Sequence, residues 1–153
     1  MALRLASSAF KNGDTIPHRY TCMGEDLSPP LHWSIPPAAT KSFVIIAEDP
    51  DAPAGTWVHW VIYDIPLDLR GLTEGISTKD HLSNGAMQGL NDFKRVGYGG
   101  PCPPGGKPHR YHFKLYALDT VLNLKPRATK ERVLVACTGH VLAESSLMGR
   151  FGS

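Results

Sequence analysis

Hydrophobic and polar positions along the chain fall into short runs that either alternate or stay apolar, separated by stiff punctuation. Residues 41–47 (KSFVIIA) form an apolar, β-branched run too short for a helix, which predicts a strand covered on both faces. Its end delivers Glu48 and Asp49 to a rim. Residues 56–65 (TWVHWVIYDI) are similarly β-prone, and strict alternation puts Trp57, His59, Val61 and Tyr63 on one face, with Trp60 and Ile62 on the other. Residues 109–118 (HRYHFKLYAL) alternate too: His109, Tyr111, Phe113 and Leu115 share a core-like face, while Arg110, His112 and Lys114 point the other way. One helical pattern stands out late. Over residues 129–148, Val133, Cys137, Val141 and the Leu147/Met148 pair recur at three-to-four spacing, with Gly149 and Gly152 as stops. Residues 72–89 show little periodicity and predict a long loop.

The 13 prolines and 15 glycines gather in blocks between these runs, at residues 28–30, 35–37, 49–55 and 97–108. Proline lacks a backbone donor and fixes φ, so the blocks are loops between strands. Many short strands divided by such loops predict a mostly β, β-rich α+β chain: two antiparallel sheets with a C-terminal helix packed at their edge. No alternation of strand and helix points to a nucleotide-binding α/β sheet. The length of 153 residues suits one domain over 1–153.

Charge narrows the partners. A net charge of +2 from 16 basic and 14 acidic residues is too balanced for a nucleic-acid binder. Positive charge does concentrate between residues 94 and 114, where Lys94, Arg95, Lys107, Arg110 and Lys114 meet no acidic residue. No stretch approaches ~20 apolar residues, so no membrane span is expected. Residues 1–10 carry Arg4 and no continuous apolar core, unlike a secretory leader. Cys22, Cys102 and Cys137 form an odd set without paired metal or redox spacing and are read as reduced thiols, consistent with a cytoplasmic location.

Three blocks combine polar chemistry with rigid turns: Asp49-Pro50-Asp51-Ala52-Pro53, the start of the strand at Trp57-Val58-His59-Trp60, and residues 97–111. A loop stiffened by prolines loses little entropy on binding and suits a small preformed pocket. Its donors would be histidine rings and a tyrosine hydroxyl from neighbouring strands. The glycine-rich run itself is a wall and not a phosphate cradle, because its prolines cannot donate and Cys102 stands where GxGxxG needs its third glycine. A carboxyl group beside an imidazole orients the ring and favours its charged form, so the Asp49/His59/His109 set is expected to hold anions more tightly as pH falls toward 6. Each block also has a plain structural reading: Asp49 and Asp51 as turn residues, His59 and His109 as satisfied strand histidines, Cys102 as an incidental thiol, Trp33, Trp57 and Trp60 as core or pocket wall, and His140 buried on the helix stripe. No metal spacing and no GxSxG, HExxH or Walker sequence is present, so no catalytic residue, metal or cofactor is assigned.

The order DPDAP, then HW, then GYGGPCPP and HRY resembles the signature set of the phosphatidylethanolamine-binding protein family, in its bacterial and archaeal Raf-kinase-inhibitor-like form. Phe10-Lys11-Asn12-Gly13, Ile16-Pro17, Ser28-Pro29-Pro30-Leu31 with Trp33, and Gly139-His140-Val141-Leu142-Ala143 fit as well, extending the match over residues 7–151. The resemblance implies a ligand pocket of Asp49, Asp51, His59, Gly100, Pro101, Pro103, His109 and Tyr111. It implies a small anion, phosphate or a phosphorylated headgroup, as ligand and a kinase or protease as a regulated partner. A hydrolase using Asp49, His59 and His109, or an interaction domain with a vestigial pocket, are the competing functions.

Overall fold

The computed structural model describes residues 2–105 and 107–152. In chain order its elements are β1 (Leu5–Ala6), a 3-10 turn (His18–Tyr20), β2 (Leu31–Trp33), β3 (Ser42–Asp49), β4 (Trp57–Pro66), β5 (Gly71–Leu72), β6 (Met87–Gln88), β7 (His109–Leu118), α1 (Lys130–Cys137) and β8 (Val141–Phe151). The strands form two antiparallel sheets, a small one ordered β1-β2-β5 and a large one ordered β6-β4-β3-β7-β8. This is the mostly β, two-sheet arrangement with a helix that the sequence pattern predicts.

β3 is apolar on both faces because it lies at the centre of the large sheet, and all of its side chains are buried. Phe43, Ile45 and Ala47 face the small sheet, joining Trp60, Ile62, Phe113, Leu115, Leu5, Leu31 and Trp33 in the main core. Val44 and Ile46 face the other way and pack with Val61, Tyr63, Val133 and Cys137 beneath α1. Glu48 lies on this second face and ties the helix down through Lys130 Nζ at 2.7 Å, with Lys114 Nζ at 3.1 Å. Burial pushes its carboxyl up, but the lysine hydrogen bonds outweigh that and hold it below its ordinary value.

β7 keeps the predicted alternation, with Tyr111, Phe113, Leu115 and Ala117 in the main core. β4 does not. Ala47 pairs with Trp60 while Glu48 pairs with Val58, so His59 is the extra residue of a β-bulge. The bulge resets the phase: Trp60 and Ile62 join the main core, and Val58, Val61 and Tyr63 pack under α1. Val61 and Tyr63 therefore do not share a face with the pocket end of the strand as strict alternation predicts.

The late helix is shorter than its sequence pattern. Thr129 caps it, its Oγ1 accepting from the Arg132 N–H at 3.3 Å, and Gly139, with φ +82°, turns the chain out of it. Residues 141–151 are strand β8, paired along β7. Leu147, Gly149 and Phe151 pair with Phe113, Tyr111 and His109. The small Ser145 and Gly149 disguise this period-two face, whereas Val141, counted toward the helix stripe, is exposed, as is Leu142 beside it. His140 is likewise no core residue: it is half-exposed in the turn, its Nδ1 2.8 Å from Asp119 Oδ1. Residues 72–89 are mostly irregular as predicted, but they are anchored by the fully buried Gln88. Its amide accepts from Trp60 Nε1–H at 2.7 Å and donates to the Ser77 and Lys79 carbonyls at 2.6 and 2.8 Å.

Segment 13–16 lies along the outer edge of β8, with Gly13 N–H donating to the Met148 carbonyl and Ile16 N–H to that of Arg150, both at 2.7 Å. A Cβ at Gly149 would sit 2.5 Å from Ile16 and 2.8 Å from Phe10. Gly149→Ala should therefore destabilise the domain by about 1–3 kcal/mol through overpacking. Urea unfolding of the variant checks this loss.

Candidate functional site

The pocket forms where the ends of β3, β4 and β7 meet three loops. Asp49 ends β3, and the proline after it starts a turn in which Asp49 Oδ1 accepts the Asp51 N–H at 2.7 Å. Its Oδ2 accepts from His109 Nδ1 at 2.7 Å. A carboxyl oxygen only accepts from an imidazole N–H, so this contact fixes the ring orientation and leaves Nε2 for the cavity. Asp49 is buried, and its turn role and its site role are one arrangement.

His59 is placed by the β4 bulge against Gly99. The Gly99 N–H donates to the His59 carbonyl at 2.9 Å, and His59 Nδ1 donates to the Gly99 carbonyl at 2.6 Å. Burial drives this ring toward the neutral form, outweighing the Gly99 contact and the nearby Asp49 charge. His59 is thus a poorer source of positive charge near pH 6 than the sequence leads one to expect.

Around these rings lie Trp57, Phe93, Tyr111, Ala52, Pro53, Cys102, Pro103 and Pro104, enclosing a cavity of about 200 Å³. Phe93 meets Trp57 and His59 edge-on at 5.5 and 5.4 Å between centroids, and Tyr111 meets His59 at 5.2 Å. Two of the lining side chains, Tyr111 and Trp57, carry a buried donor, OH and Nε1, with no hydrogen-bond partner among the described residues, as do Trp33 and Thr40 outside the pocket lining. Burial, with the charges of Asp49 and Asp51, pushes the Tyr111 hydroxyl up, so it stays a phenol able to donate.

Three expected site residues stand behind the pocket instead of lining it. Asp51 turns outward and takes Arg110 through Nε at 2.9 Å and Nη2 at 2.8 Å, plus the Arg110 N–H at 2.9 Å. Those hydrogen bonds hold its carboxyl well below the usual range and pin the Asp-Pro loop to the start of β7. The Gly100 N–H donates to Asp26 Oδ1 at 2.8 Å, and a Cβ there would lie 2.4 Å from both Asp26 Oδ1 and the Tyr20 carbonyl. The Pro101 carbonyl accepts the Cys22 N–H at 3.1 Å. Asp49, His59, Pro103, His109 and Tyr111 are brought together as expected. Cys102 is not a reduced thiol: it forms a disulfide with Cys22, across 80 positions of sequence, while Cys137 is free and buried.

The phosphatidylethanolamine-binding protein family model matches residues 6–152, nearly all of the chain. The chain belongs to this family. A UPF0098 protein of Methanothermobacter thermautotrophicus is 52% identical over 97% of this chain and 98% of its own length. One of Aquifex aeolicus is 48% identical over 97% of this chain and 88% of its own. Among solved structures, CT736 of Chlamydia trachomatis, described as a phosphatidylethanolamine-binding protein homologue, superposes with a TM-score of 0.91 at 42% identity, covering 99% of this chain and 98% of its own. YbcL of E. coli, described as a new member of the mammalian family, gives 0.92 at 32% identity over 100% of this chain and 99% of its own. Seen within the family, the DPDAP, HW and HRY blocks are the three strand ends that surround the cavity.

Phe93 was missed by the sequence reading, as were its supports. Asn91 Oδ1 accepts the Phe93 and Arg95 N–H groups at 2.9 and 3.2 Å, and Asn91 Nδ2 donates to the Gly97 carbonyl at 2.9 Å. The available signal was Asn91-Asp92 before an aromatic, a turn composition next to the glycine-rich block.

His59 yields a pH prediction. Its folded value lies below its ordinary 6.5, so the unfolded chain takes up a proton that the folded chain refuses, and stability falls as pH drops through 6.5 toward the folded value. Nitrogen NMR of the ring should show the neutral Nδ1–H tautomer at pH 7 and titration only below 6.5. A charged His59 ring at pH 7 would contradict this account.

Proposed function

We propose that the cavity binds a small oxyanion, phosphate or a phosphorylated headgroup, and that the chain is a binding module without catalytic turnover. The observation that supports this most directly is the pair of partnerless buried donors, Tyr111 OH and Trp57 Nε1, on one wall with two imidazoles. Leaving such donors unsatisfied costs about 1–3 kcal/mol each, which an oxyanion with several lone pairs would recover. The size of the cavity suits a headgroup and not acyl chains. Cys102, its sulfur spent in a disulfide, offers no thiolate nucleophile, and Asp49 spends its oxygens on Asp51 and His109.

The name of the matched family carries the same chemistry, since phosphatidylethanolamine presents a phosphate beside an amine. Regulation of a kinase or protease through the occupied pocket is the partner reading that goes with it; a cytoplasmic location is the compartment reading, though the Cys22–Cys102 disulfide removes the reduced-thiol ground for it. Among the described residues no helix is long and apolar enough to cross a membrane.

Titration with phosphate and with phosphoethanolamine, followed by backbone amide shifts, tests the binding. Saturable shifts should concentrate at Asp49, His59, Phe93 and residues 102–111. Tyr111→Phe and Trp57→Phe, each deleting one donor or its N–H, should weaken binding about tenfold. The absence of localised shifts at millimolar ligand would remove the binding reading, and turnover of phosphate or carboxyl esters, lost in His59→Ala and His109→Ala, would replace it with the hydrolase.

A further inference from the structure

We propose that the Cys22–Cys102 disulfide is a redox latch on the anion pocket: closed, it fixes the Cys102-Pro103-Pro104 wall, and opened by a dithiol, it releases that wall and weakens the ligand. The inference rests on the anion-binding reading and adds its regulation.

The wall has little else to hold it. Among the described residues, 102–108 exchange no hydrogen bond with the rest of the chain. Pro103, Pro104 and Pro108 have no N–H to give, and the polar anchors of the loop stop before the wall, at Gly100 to Asp26 and at Pro101 to Cys22. Beyond them, the disulfide joins the wall to the segment after the 3-10 turn, and at the far end Pro108 lies under Gly152, where a Cβ would come within 2.9 Å of it. Three of the residues so held, Cys102, Pro103 and Pro104, line the cavity together with Asp49 and Trp57.

The bond is also reachable. Cys22 and Cys102 are both exposed, unlike the buried free thiol of Cys137. A thiolate of a small dithiol attacks one sulfur and forms a mixed disulfide, and its second thiol then displaces the protein sulfur. Two electrons pass to the protein, Cys22 and Cys102 each end as a protonated thiol, and the dithiol leaves as its cyclic disulfide. A wall no longer pre-organised must be ordered by the ligand, at a cost that corresponds to about a tenfold loss of affinity.

The test compares the protein as isolated with the same protein reduced by dithiothreitol, reading amide hydrogen exchange and inorganic phosphate titration in parallel. The latch predicts faster exchange at Cys102, Gly105 and Lys107 with the β3, β4 and β7 amides unchanged, about tenfold weaker phosphate binding, and recovery of both on reoxidation. Cys22→Ser should reproduce the reduced state and be insensitive to dithiothreitol. Equal exchange and affinity in the two states would overturn the proposal, and so would global unfolding on reduction, which would make the bond a structural staple. If the oxidised protein fails to bind phosphate, the anion reading fails, while the exchange comparison still decides whether the bond holds the wall.

Discussion

The site depends on one buried carboxyl group. Asp49 ends the central strand, and a group this polar survives burial only if its oxygens are matched. One oxygen takes the backbone of its own turn, and the other takes the ring of His109 from the neighbouring strand. Strand end, loop and imidazole are thereby fixed by a single side chain. The exposed Arg110–Asp51 fork adds little to stability at that exposure, yet it sets where the loop sits on β7.

A second constraint comes from the bulge in β4. One residue too many lets His59 lean on the Gly99 carbonyl while Trp60 returns to the main core. A regular ladder would place Trp57 and His59 in phase with the helix-facing cluster. The irregularity is thus what allows one strand to serve both the pocket and the second core beneath α1.

Much of this architecture was legible in the chain. β3 and β7 announce themselves by apolar run and by alternation, and the proline blocks mark the loops that carry the pocket. DPDAP, HW and HRY, taken in order, bring Asp49, His59, His109 and Tyr111 together. What could not be read depended on partners distant in sequence. β8 imitates a helix because Gly149, small for the sake of Ile16 and Phe10, and Ser145, whose Oγ accepts the Leu5 N–H, hide its alternation. The bulge is invisible without the facing strand, and the Cys22–Cys102 pair has no local spacing to reveal it. Asp51, Gly100 and Pro101 belong to the signature yet act from behind the cavity, since a sequence block does not tell which of its side chains turn inward.

The pairing of β3 with β7 also governs when a chain emerging from the ribosome can become whole. β3 is complete at Asp49 and can pair with β4 soon after, but its other neighbour begins at His109, so the β7–β8 half of the sheet must wait. Such distant pairings make folding slow, because loop closure precedes any reward from contact. During that interval the run Phe43-Val44-Ile45-Ile46-Ala47, high in β-propensity and without charge, has one edge uncovered, which is the profile of a segment that seeks other chains. A nascent chain that stalls before His109 is thus exposed to aggregation through the strand that later gives the finished domain its centre.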